Sequence, residues 1–384
     1  MRFFAAAAVL ASAPTVFGQN FTFLSGLLQT LTSTGHNQLA SVAAKLNGTA
    51  AGQSVLSQLS NGSPFVLFAP TDNALPSNVT SDVDALADVI AYHIASGNFT
   101  GVSTTYPNTT LGTTLLNDPK VVQLEASGQP QALAWAARDD GKVHVLNQFN
   151  DTTVSNTTTF GDITIYTIDQ VLGFPGSLAE TVALDNTSLA LVTPLLRNVS
   201  APLFNASTNA TAPAALFDIL NGGLHGFTFF APNDAAITLA LAGGLAGLAS
   251  NQTAVQAVFQ NHTLSFTLNA TGHYVSAGGA TARIVQPDVL LANGVLHVID
   301  AVLLNTASDA AAASSAGVPA ATHTASATGP IGFSATATAS NTGASASGTQ
   351  KSNGARGGKG GHNPKHIIKI ALALAGALAG MVVI

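Results

Sequence analysis

Residue types that could carry chemistry are sparse in this sequence. Of its 384 residues only two are Glu, and none is Cys. Thiol catalysis, disulfide bonds and Cys-based zinc sites are therefore excluded. Carboxylate chemistry would need Asp, and the closest pairs are Asp82 with Asp84 and Asp139 with Asp140. Most such pairs are solvated surface groups, so we predict no catalytic residue, no metal site and no cofactor.

The ten His residues are scattered along the chain, outside any His-Glu-x-x-His, Gly-x-Ser-x-Gly or Walker-type motif. Three of them, His93, His262 and His297, stand out because each lies in a segment that resembles another segment of this chain. For each we favour a buried structural role in which the ring nitrogens bond the backbone. The net charge of −6 and the lack of a basic stripe exclude nucleic-acid binding.

One sequence pattern, which would place an Asp at the end of a strand, occurs twice in the chain. Residues 65–74 read FVLFAPTDNA, and residues 227–236 read FTFFAPNDAA. The aromatic and β-branched run predicts a buried strand, and the Pro that follows predicts its end, since Pro donates no ladder hydrogen bond. We expect Thr71 or Asn233 to cap a following helix, with an Asp in its first turn.

A second pattern closes each copy. Residues 163–172 read ITIYTIDQVL, and residues 293–304 read NGVLHVIDAVLL, and both alternate as strands do. Residues 141–147 also imitate the second of these segments. We prefer 163–172, since Phe174-Pro175-Gly176 follows it as a domain boundary would. The earlier segment then forms one arm of a hairpin, Leu133–Ala137 with Lys142–Leu146, around a turn at Gly141.

The two copies resemble the fasciclin (FAS1) domain family. The resemblance comes from Phe-x-x-Phe-Ala-Pro-x-Asp, a central Tyr-His and a closing Asn-Gly-Val-x-His-Val-Ile-Asp, although Tyr166 replaces the closing His and Asn261 the Tyr. It implies an α+β protein with two tandem FAS1-like domains, 21–175 and 176–305, each made of β-sandwich-like sheets with packed helices. The resemblance assigns structural roles to ten residues: Pro70, Asp72, Tyr92, His93, Asp169, Pro232, Asp234, His262, His297 and Asp300.

The distance from the central His to the closing Asp differs between the copies. It is 76 residues in the first and 38 in the second. We therefore expect an insertion in the first copy that lengthens a sheet edge or a loop. In the second copy Gln286-Pro287-Asp288 resembles a segment that animal members of the family use for integrin binding. We favour a purely structural role for it.

The N-terminus is typical of a secretory signal peptide. Arg2 precedes an apolar run, Phe3 to Ala13. Cleavage after Ala13 would leave Pro14 first, so we prefer cleavage after Gly18, which makes residues 1–18 the signal peptide. The alternative is a buried first helix.

The C-terminus, residues 353–384, has the order of a GPI-attachment signal. Small residues at 353–355 precede a polar spacer and an apolar tail that runs from Ile367 to Ile384. We predict the lipid on Asn353, with Ser352 as the alternative. A single transmembrane span is the other interpretation, but the tail is barely long enough and contains Lys369.

Fifteen of the 26 Asn residues lie in Asn-x-Ser/Thr sequons, which indicates passage through a glycosylating secretory pathway. Each occupied site must face solvent. The predicted acceptors are Asn20, Asn47, Asn61, Asn78, Asn98, Asn108, Asn150, Asn156, Asn186, Asn198, Asn205, Asn209, Asn251, Asn261 and Asn269.

Residues 306–352 are predicted to form a disordered stalk. Of the 45 residues at 306–350, 36 are Ala, Ser, Thr or Gly, and the large apolar residues are limited to Val318, Ile331 and Phe333. Such a segment cannot bury enough apolar surface to offset the entropy lost on ordering. We expect O-glycans on its Ser and Thr residues. The tail, the stalk and the lack of Cys favour a fungal source over the plant fasciclin-like arabinogalactan proteins, whose Pro-containing repeats are missing here.

These features predict a non-enzymatic, GPI-anchored glycoprotein of the cell surface or cell wall. We expect it to mediate adhesion or wall organisation through weak multivalent contacts with other surface or matrix glycoproteins or wall polysaccharide. Its membrane contact would be the lipid anchor. The alternative is a lumenal, membrane-associated vacuolar protein that acts in membrane fusion or autophagy. A carrier or enzyme with a cleft between the domains would need a convergent polar pocket, which the sequence does not indicate.

Overall fold

The structure, a computed structural model, describes only part of the chain. The described ranges are 16–75, 83–99, 104–124, 128–184, 188–205, 210–245, 263–269, 271–277, 279–303, 368–371 and 382–383. The stalk, Asn353, His262 and the sequons at Asn78, Asn186, Asn209, Asn251 and Asn261 lie outside these residues. So do residues 1–15 of the predicted signal peptide.

The first domain is a closed barrel of seven strands with four helices packed against it. The helices are α1 (Val16–Ser33), α2 (Asn37–Leu46), α3 (Ala50–Leu59) and α4 (Val83–Tyr92). The strands are β1 (Phe65–Pro70), β2 (Ile94–Ser96), β3 (Thr110–Thr114), β4 (Ala132–Ala137), β5 (Val143–Val145), β6 (Thr152–Phe160) and β7 (Ile163–Ile168). The prediction of an α+β fold is confirmed, and the predicted sandwich-like sheet is here closed on itself.

A single hydrophobic core joins the helices of the first domain to its barrel. Helix α1 contributes Leu24, Leu27 and Leu31, whose three- and four-residue spacing places them on one face. All of these residues lie beyond the predicted cleavage site after Gly18, so signal removal would leave the packed face of α1 intact. Strand β1 is buried along its whole length, because it has the barrel interior on one side and helices on the other.

The second domain is built on an open sheet. Its helices are α5 (Leu178–Leu184), α6 (Val192–Arg197), α7 (Leu216–Asp218) and α8 (Asp234–Ala240), with π-helical turns at Ile219–Gly223 and Leu241–Leu245. Its strands are β8 (Ser200–Asn205) and β9 (Ala210–Ala215), which form a separate hairpin, and β10 (Phe227–Pro232), β11 (Thr263–Asn269), β12 (Gly272–Ala277), β13 (Ala280–Leu291) and β14 (Gly294–Ile299). Two short C-terminal strands, β15 (Ile368–Ala371) and β16 (Val382–Val383), pair with β11 and β10.

The two sequence copies fold as the same parallel strand pair. In the first domain β1 runs parallel to β7, with Phe65 opposite Ile163, and in the second β10 runs parallel to β14, with Phe227 opposite Gly294. The preference for residues 163–172 as the closing segment is therefore correct. The rival segment forms the predicted hairpin, since β4 and β5 pair antiparallel around Gly141, which has a φ of 76°.

The insertion in the first copy adds strands. Six strands, β2 to β7, follow His93 up to the closing Asp169, whereas the second domain has four, β11 to β14, between residues 263 and 299. The additional chain completes the barrel by linking β2 to β7 through β3, β4, β5 and β6. The expected longer edge is thus the part of the sheet that allows closure.

Candidate functional site

The motif Asp of each copy caps a helix that precedes it in the chain. The carboxylate of Asp72 accepts hydrogen bonds of 2.8 Å from the Asn37 side-chain amide and the Gln38 N–H, at the start of α2. In the second domain the carboxylate of Asp234 accepts from the N–H groups of Ala190 and Leu191, just before α6. Each Asp therefore fixes a helix N-terminus onto the end of the buried central strand.

The predicted cap of a following helix is correct only in the second domain. There the Asn233 side chain accepts the Ala236 N–H at 2.8 Å, and Asp234 begins α8. In the first domain the Thr71 carbonyl accepts from the N–H groups of Ala74 and Leu75 in a turn, and residues 71–75 form no helix. The Asp72 carboxylate is consequently available to α2.

His93 is fully enclosed and uses both ring nitrogens. Nδ1 lies 2.7 Å from the Val89 carbonyl, and Nε2 accepts the Leu172 N–H at 2.9 Å. This pattern requires the neutral ring with its proton on Nδ1. Burial lowers the pKa of His93 to about 4, although the bond to Val89 opposes the shift. His93 thereby connects α4 to the chain that follows β7.

The neighbouring Tyr92 is equally buried. Its ring meets Phe174 edge-on with centroids 5.5 Å apart, and burial raises the pKa of its phenol even though Gln148 bonds the hydroxyl. Tyr92 and His93 together attach the end of α4 to the segment after β7. Neither side chain has the solvent access that substrate binding would need.

The closing Asp residues join the last strand of each sheet to its neighbour. Asp169 accepts from the N–H and the hydroxyl of Thr153 at the start of β6, and Asp300 accepts the Arg283 N–H of β13 at 2.7 Å. Pro70 and Pro232 end the central strands opposite Ile168 and Ile299. The described family-motif residues therefore serve to connect elements of the fold.

The two domains meet at a junction that sequence reasoning did not identify. Its apolar centre contains Ala134, Ala136 and Leu146 of the first domain and Leu290 of the second. Around it the Gln131 amide donates to the Leu291 carbonyl at 3.1 Å, and the Gln123 N–H donates to the Ala292 carbonyl at 2.8 Å. Buried apolar contacts ringed by hydrogen bonds are typical of a specific interface.

Asp288 is the most connected residue of this junction. It is only 6% exposed and has a φ of 53°, uncommon for a residue other than Gly. Its carboxylate accepts from the Thr109 hydroxyl, its carbonyl accepts from the Asn147 amide at 2.6 Å, and its N–H donates to His297 Nδ1 at 3.0 Å. The segment singled out by its integrin-type sequence is therefore buried between the domains, as the preferred structural role requires. Its only sequence signal was Pro287-Asp288.

The described sequons mostly face solvent. The acceptor side chains of Asn61, Asn98, Asn108, Asn150, Asn156, Asn198 and Asn269 are exposed, and that of Asn47 is half-buried. Asn20 and Asn205 lie on α1 and β8, without described side chains. The exposure that an N-glycan needs is therefore present at the seven exposed sites, and occupancy stays a prediction.

One charged cluster occupies the hairpin of the first domain. The buried His144 ring lies between two carboxylates, with Nδ1 2.8 Å from Asp151 and Nε2 3.1 Å from Asp140, and Arg138 pairs with Asp151 at 3.0 Å. The carboxylates approach opposite sides of the ring, so the three groups do not converge. Among the described residues no cluster of His, Asp or Glu has a metal-binding arrangement.

Most of the apolar tail from Ile367 to Ile384, the candidate transmembrane span, lies outside the described residues. Within the ranges that the structure describes, no helix combines the length and apolar character of a transmembrane span.

Comparison with known proteins identifies the class of the first domain. The chain folds as two α+β domains, and each contains the same parallel strand pair. Residues 41–175 match the family model described as Fasciclin domain. The first domain is therefore a fasciclin domain, and the predicted family is confirmed over these residues. Domains of this kind occur in extracellular and cell-surface proteins.

A solved structure provides a second comparison. The chain matches a FAS1 domain pair from the insect cell adhesion molecule fasciclin I, with 17% sequence identity and a TM-score of 0.34. The match covers 71% of this chain and 98% of the other. No curated protein matches the chain significantly.

Proposed function

We propose that this protein is a non-enzymatic glycoprotein of the cell surface or cell wall that mediates adhesion or wall organisation. The fasciclin domain at 41–175 is the observation that carries the proposal, since this domain is associated with cell adhesion proteins. The motif residues support it, because each described one is committed to contacts within the fold. The second copy acts as a further domain of the same kind.

Partner binding in this proposal uses the solvent-facing parts of both domains. Residues 20–305 carry a net charge of about −11, from 17 acidic and 6 basic side chains, which repels anionic polysaccharide and anionic lipid. The partners are therefore neutral glycans or glycoproteins of the surface or matrix, and each contact is weak. Two linked domains, and many copies on one membrane, multiply such contacts into stable attachment.

The attachment to the membrane is the predicted lipid on Asn353, with residues 306–352 as a glycosylated stalk. The test treats intact cells that express the protein with a phosphatidylinositol-specific phospholipase and follows release of the domains into the medium. We expect release for the wild type, and retention inside the cell for Leu374→Asp, which interrupts the apolar tail. A change of the same kind in the stalk, Ser340→Asp, should leave release unchanged. Protein that stays on the cell with residues 367–384 still attached contradicts the lipid anchor, and a vacuolar signal in living cells contradicts the surface location.

The adhesion role is tested with the purified, glycosylated protein on beads. Beads that carry it at increasing density should bind cells whose surface displays neutral glycans and glycoproteins, and attachment should rise more steeply than in proportion to density because several contacts must act together. Beads coated with enzymatically deglycosylated protein separate glycan contacts from protein contacts. Attachment no greater than that of albumin-coated beads at every density would refute adhesion.

A further inference from the structure

The hydrogen bond between Asp288 and His297 fixes the protonation state of the ring. The Asp288 N–H donates to His297 Nδ1, so Nδ1 must hold a lone pair and the neutral ring must have its proton on Nε2. His93 has the opposite tautomer, because its Nε2 accepts an N–H. Any second proton taken up by His297 must therefore bind Nδ1, the atom that faces the domain junction.

The groups around His297 make the neutral ring the favoured form at neutral pH. Its ring stacks on Phe230 of β10, with centroids 5.2 Å apart. Burial lowers the pKa of His297, the Asp288 carboxylate of β13 raises it, and His273 of β12 lowers it. Asp288 Oδ1 lies 3.9 Å from Nδ1, beyond hydrogen-bonding distance.

The first domain approaches the same position with polar groups. The Thr109 hydroxyl bonds the Asp288 carboxylate, the Asn147 amide bonds its carbonyl, and the Tyr106 phenol lies 3.4 Å from the Val285 carbonyl. Burial raises the pKa of Tyr106, with Arg138 as the nearby opposing charge, so the phenol stays neutral. Asp288 is thus held on one side by the first domain and on the other by His297.

Two residues other than Gly have positive φ in the described chain, Asn147 at 62° and Asp288 at 53°, and they contact each other across this junction. Such conformations cost energy and persist only where surrounding contacts hold them. Loss of one contact to Asp288 therefore favours relaxation of its backbone.

We propose that protonation of His297 at Nδ1 loosens the junction between the two domains, so that their relative arrangement responds to acid. The added proton comes from solvent and turns Nδ1 into a donor, which removes the bond from the Asp288 N–H. The cationic ring then attracts the Asp288 carboxylate 3.9 Å away and competes with Thr109 for it. The proposal is independent of the adhesion role.

The absence of Cys from the chain makes a distance measurement between the domains simple. Ala44 on α2 and Ala183 on α5 are exposed helix positions, and Ala44→Cys with Ala183→Cys places one fluorophore on each domain of the full glycosylated chain. Energy transfer between them is recorded from pH 7.5 to pH 5. Because one proton is involved, the ratio of open to closed molecules should rise by at most tenfold per pH unit below about pH 6.5.

Two variants remove the titrating group in different ways. His297→Asn offers an oxygen that accepts the Asp288 N–H at every pH, and His297→Phe removes the charge while it keeps an aromatic ring against Phe230. Both should abolish the acid response, whereas His273→Gln should retain it. Fluorescence of Trp135, the one Trp of the chain, must stay constant above pH 5 to show that the first domain remains folded.

The proposal would be overturned by a wild-type distance distribution that does not change between pH 7.5 and 5. An acid response that persists in a folded His297 variant would also overturn it. The third contradicting result is a neutral His297 whose proton is on Nδ1 instead of Nε2. The tautomer is read from the wild type itself by nitrogen NMR of labelled His. A neutral His297 with its proton on Nδ1 would exclude the required hydrogen bond even if both variants failed to fold.

Discussion

Phe68 faces Tyr166 on neighbouring parallel strands of the first domain, with ring centroids 5.5 Å apart. At the corresponding place in the second domain Phe230 faces His297, with centroids 5.2 Å apart. The two copies therefore keep one aromatic pair in one register, and only the partner ring differs. A phenol keeps its charge state between pH 5 and 8, whereas an imidazole can change it. At this position of the sheet, therefore, only the second domain has a ring that can gain a charge in mild acid.

Asp72→Ala should destabilise the first domain by about 1 kcal/mol, since it removes the acceptor for two donors at the start of α2. In a domain of this size the Tm should fall by about 2–4 °C. Asp139→Ala, which removes an exposed carboxylate of the same domain, is the matched control and should change Tm little. Thermal unfolding followed by Trp135 fluorescence measures both, and equal shifts in the two variants would contradict the capping role.

The same carboxylate predicts a pH dependence. Burial acts to raise the pKa of Asp72, but the hydrogen bonds from Gln38 and Asn37 outweigh it and lower the pKa. A lowered carboxyl pKa stabilises the fold at neutral pH, and this contribution is lost as the pH falls below the usual Asp value of 3.8. The stability difference between wild type and Asp72→Ala should therefore shrink below about pH 4. A difference that stays constant down to pH 2.5 would be inconsistent with this assignment.

His93 should make the first domain sensitive to acid. Its pKa is about 4 in the fold and 6.5 in the unfolded chain, so the unfolded chain binds the proton first as the pH falls. The contribution of neutral His93 to the free energy of unfolding should be fully present above pH 6.5. The free energy of unfolding should then decrease by about 3 kcal/mol as the pH falls to 4. His93→Gln should be less stable at pH 7 but should lose less between pH 6.5 and 4. Gln29→Ala, at an exposed position of α1, is the control and should follow the wild-type curve in chemical denaturation with Trp135 as probe.

Gly294→Ala should destabilise the second domain by about 1–3 kcal/mol, since a Cβ there would lie 2.5 Å from the Phe227 carbonyl oxygen. That oxygen belongs to the central strand and cannot move without breaking the parallel pair. Gly222→Ala is the control, because a Cβ at Gly222 meets no atom within 4 Å. Circular dichroism during heating compares them, and a Gly294→Ala protein as stable as Gly222→Ala would show that the strand pair yields easily.

Local patterns predicted the strands that form the two parallel pairs and the Pro that ends each central strand, but they did not predict that these strands pair. Residues 65–70 and 227–232 have the aromatic and β-branched composition of a buried strand and end in the Pro that stops it. The closing segments at 163–172 and 293–304 show the alternation of a strand. The use of Asp72 was not predictable in the same way, since its partners Asn37 and Gln38 lie 35 and 34 residues earlier. Likewise barrel closure depends on pairing between β1 and β2, which no local pattern encodes.

The junction was hidden for the same reason. Thr109 and Asn147 lie 179 and 141 residues from Asp288, in loops whose sequences are ordinary for exposed turns. Their importance comes from the surface that the folded domains present to each other. The Gln286-Pro287-Asp288 sequence indicated a structural role but not which residues Asp288 would contact.

Leu290→Ala should weaken the attachment of the domains to each other. Leu290 is 4% exposed and packs against Ala134, Ala136 and Leu146 of the other domain, so truncation leaves a cavity in the apolar centre of the junction. The cost should be about 2–4 kcal/mol, and calorimetry of the full glycosylated chain should show the two domains unfolding in separate transitions. Leu268→Ala, at a position that is 50% exposed, should change the profile little. If Leu290→Ala unfolds as the wild type does, the junction contributes no stability and the domains are independent.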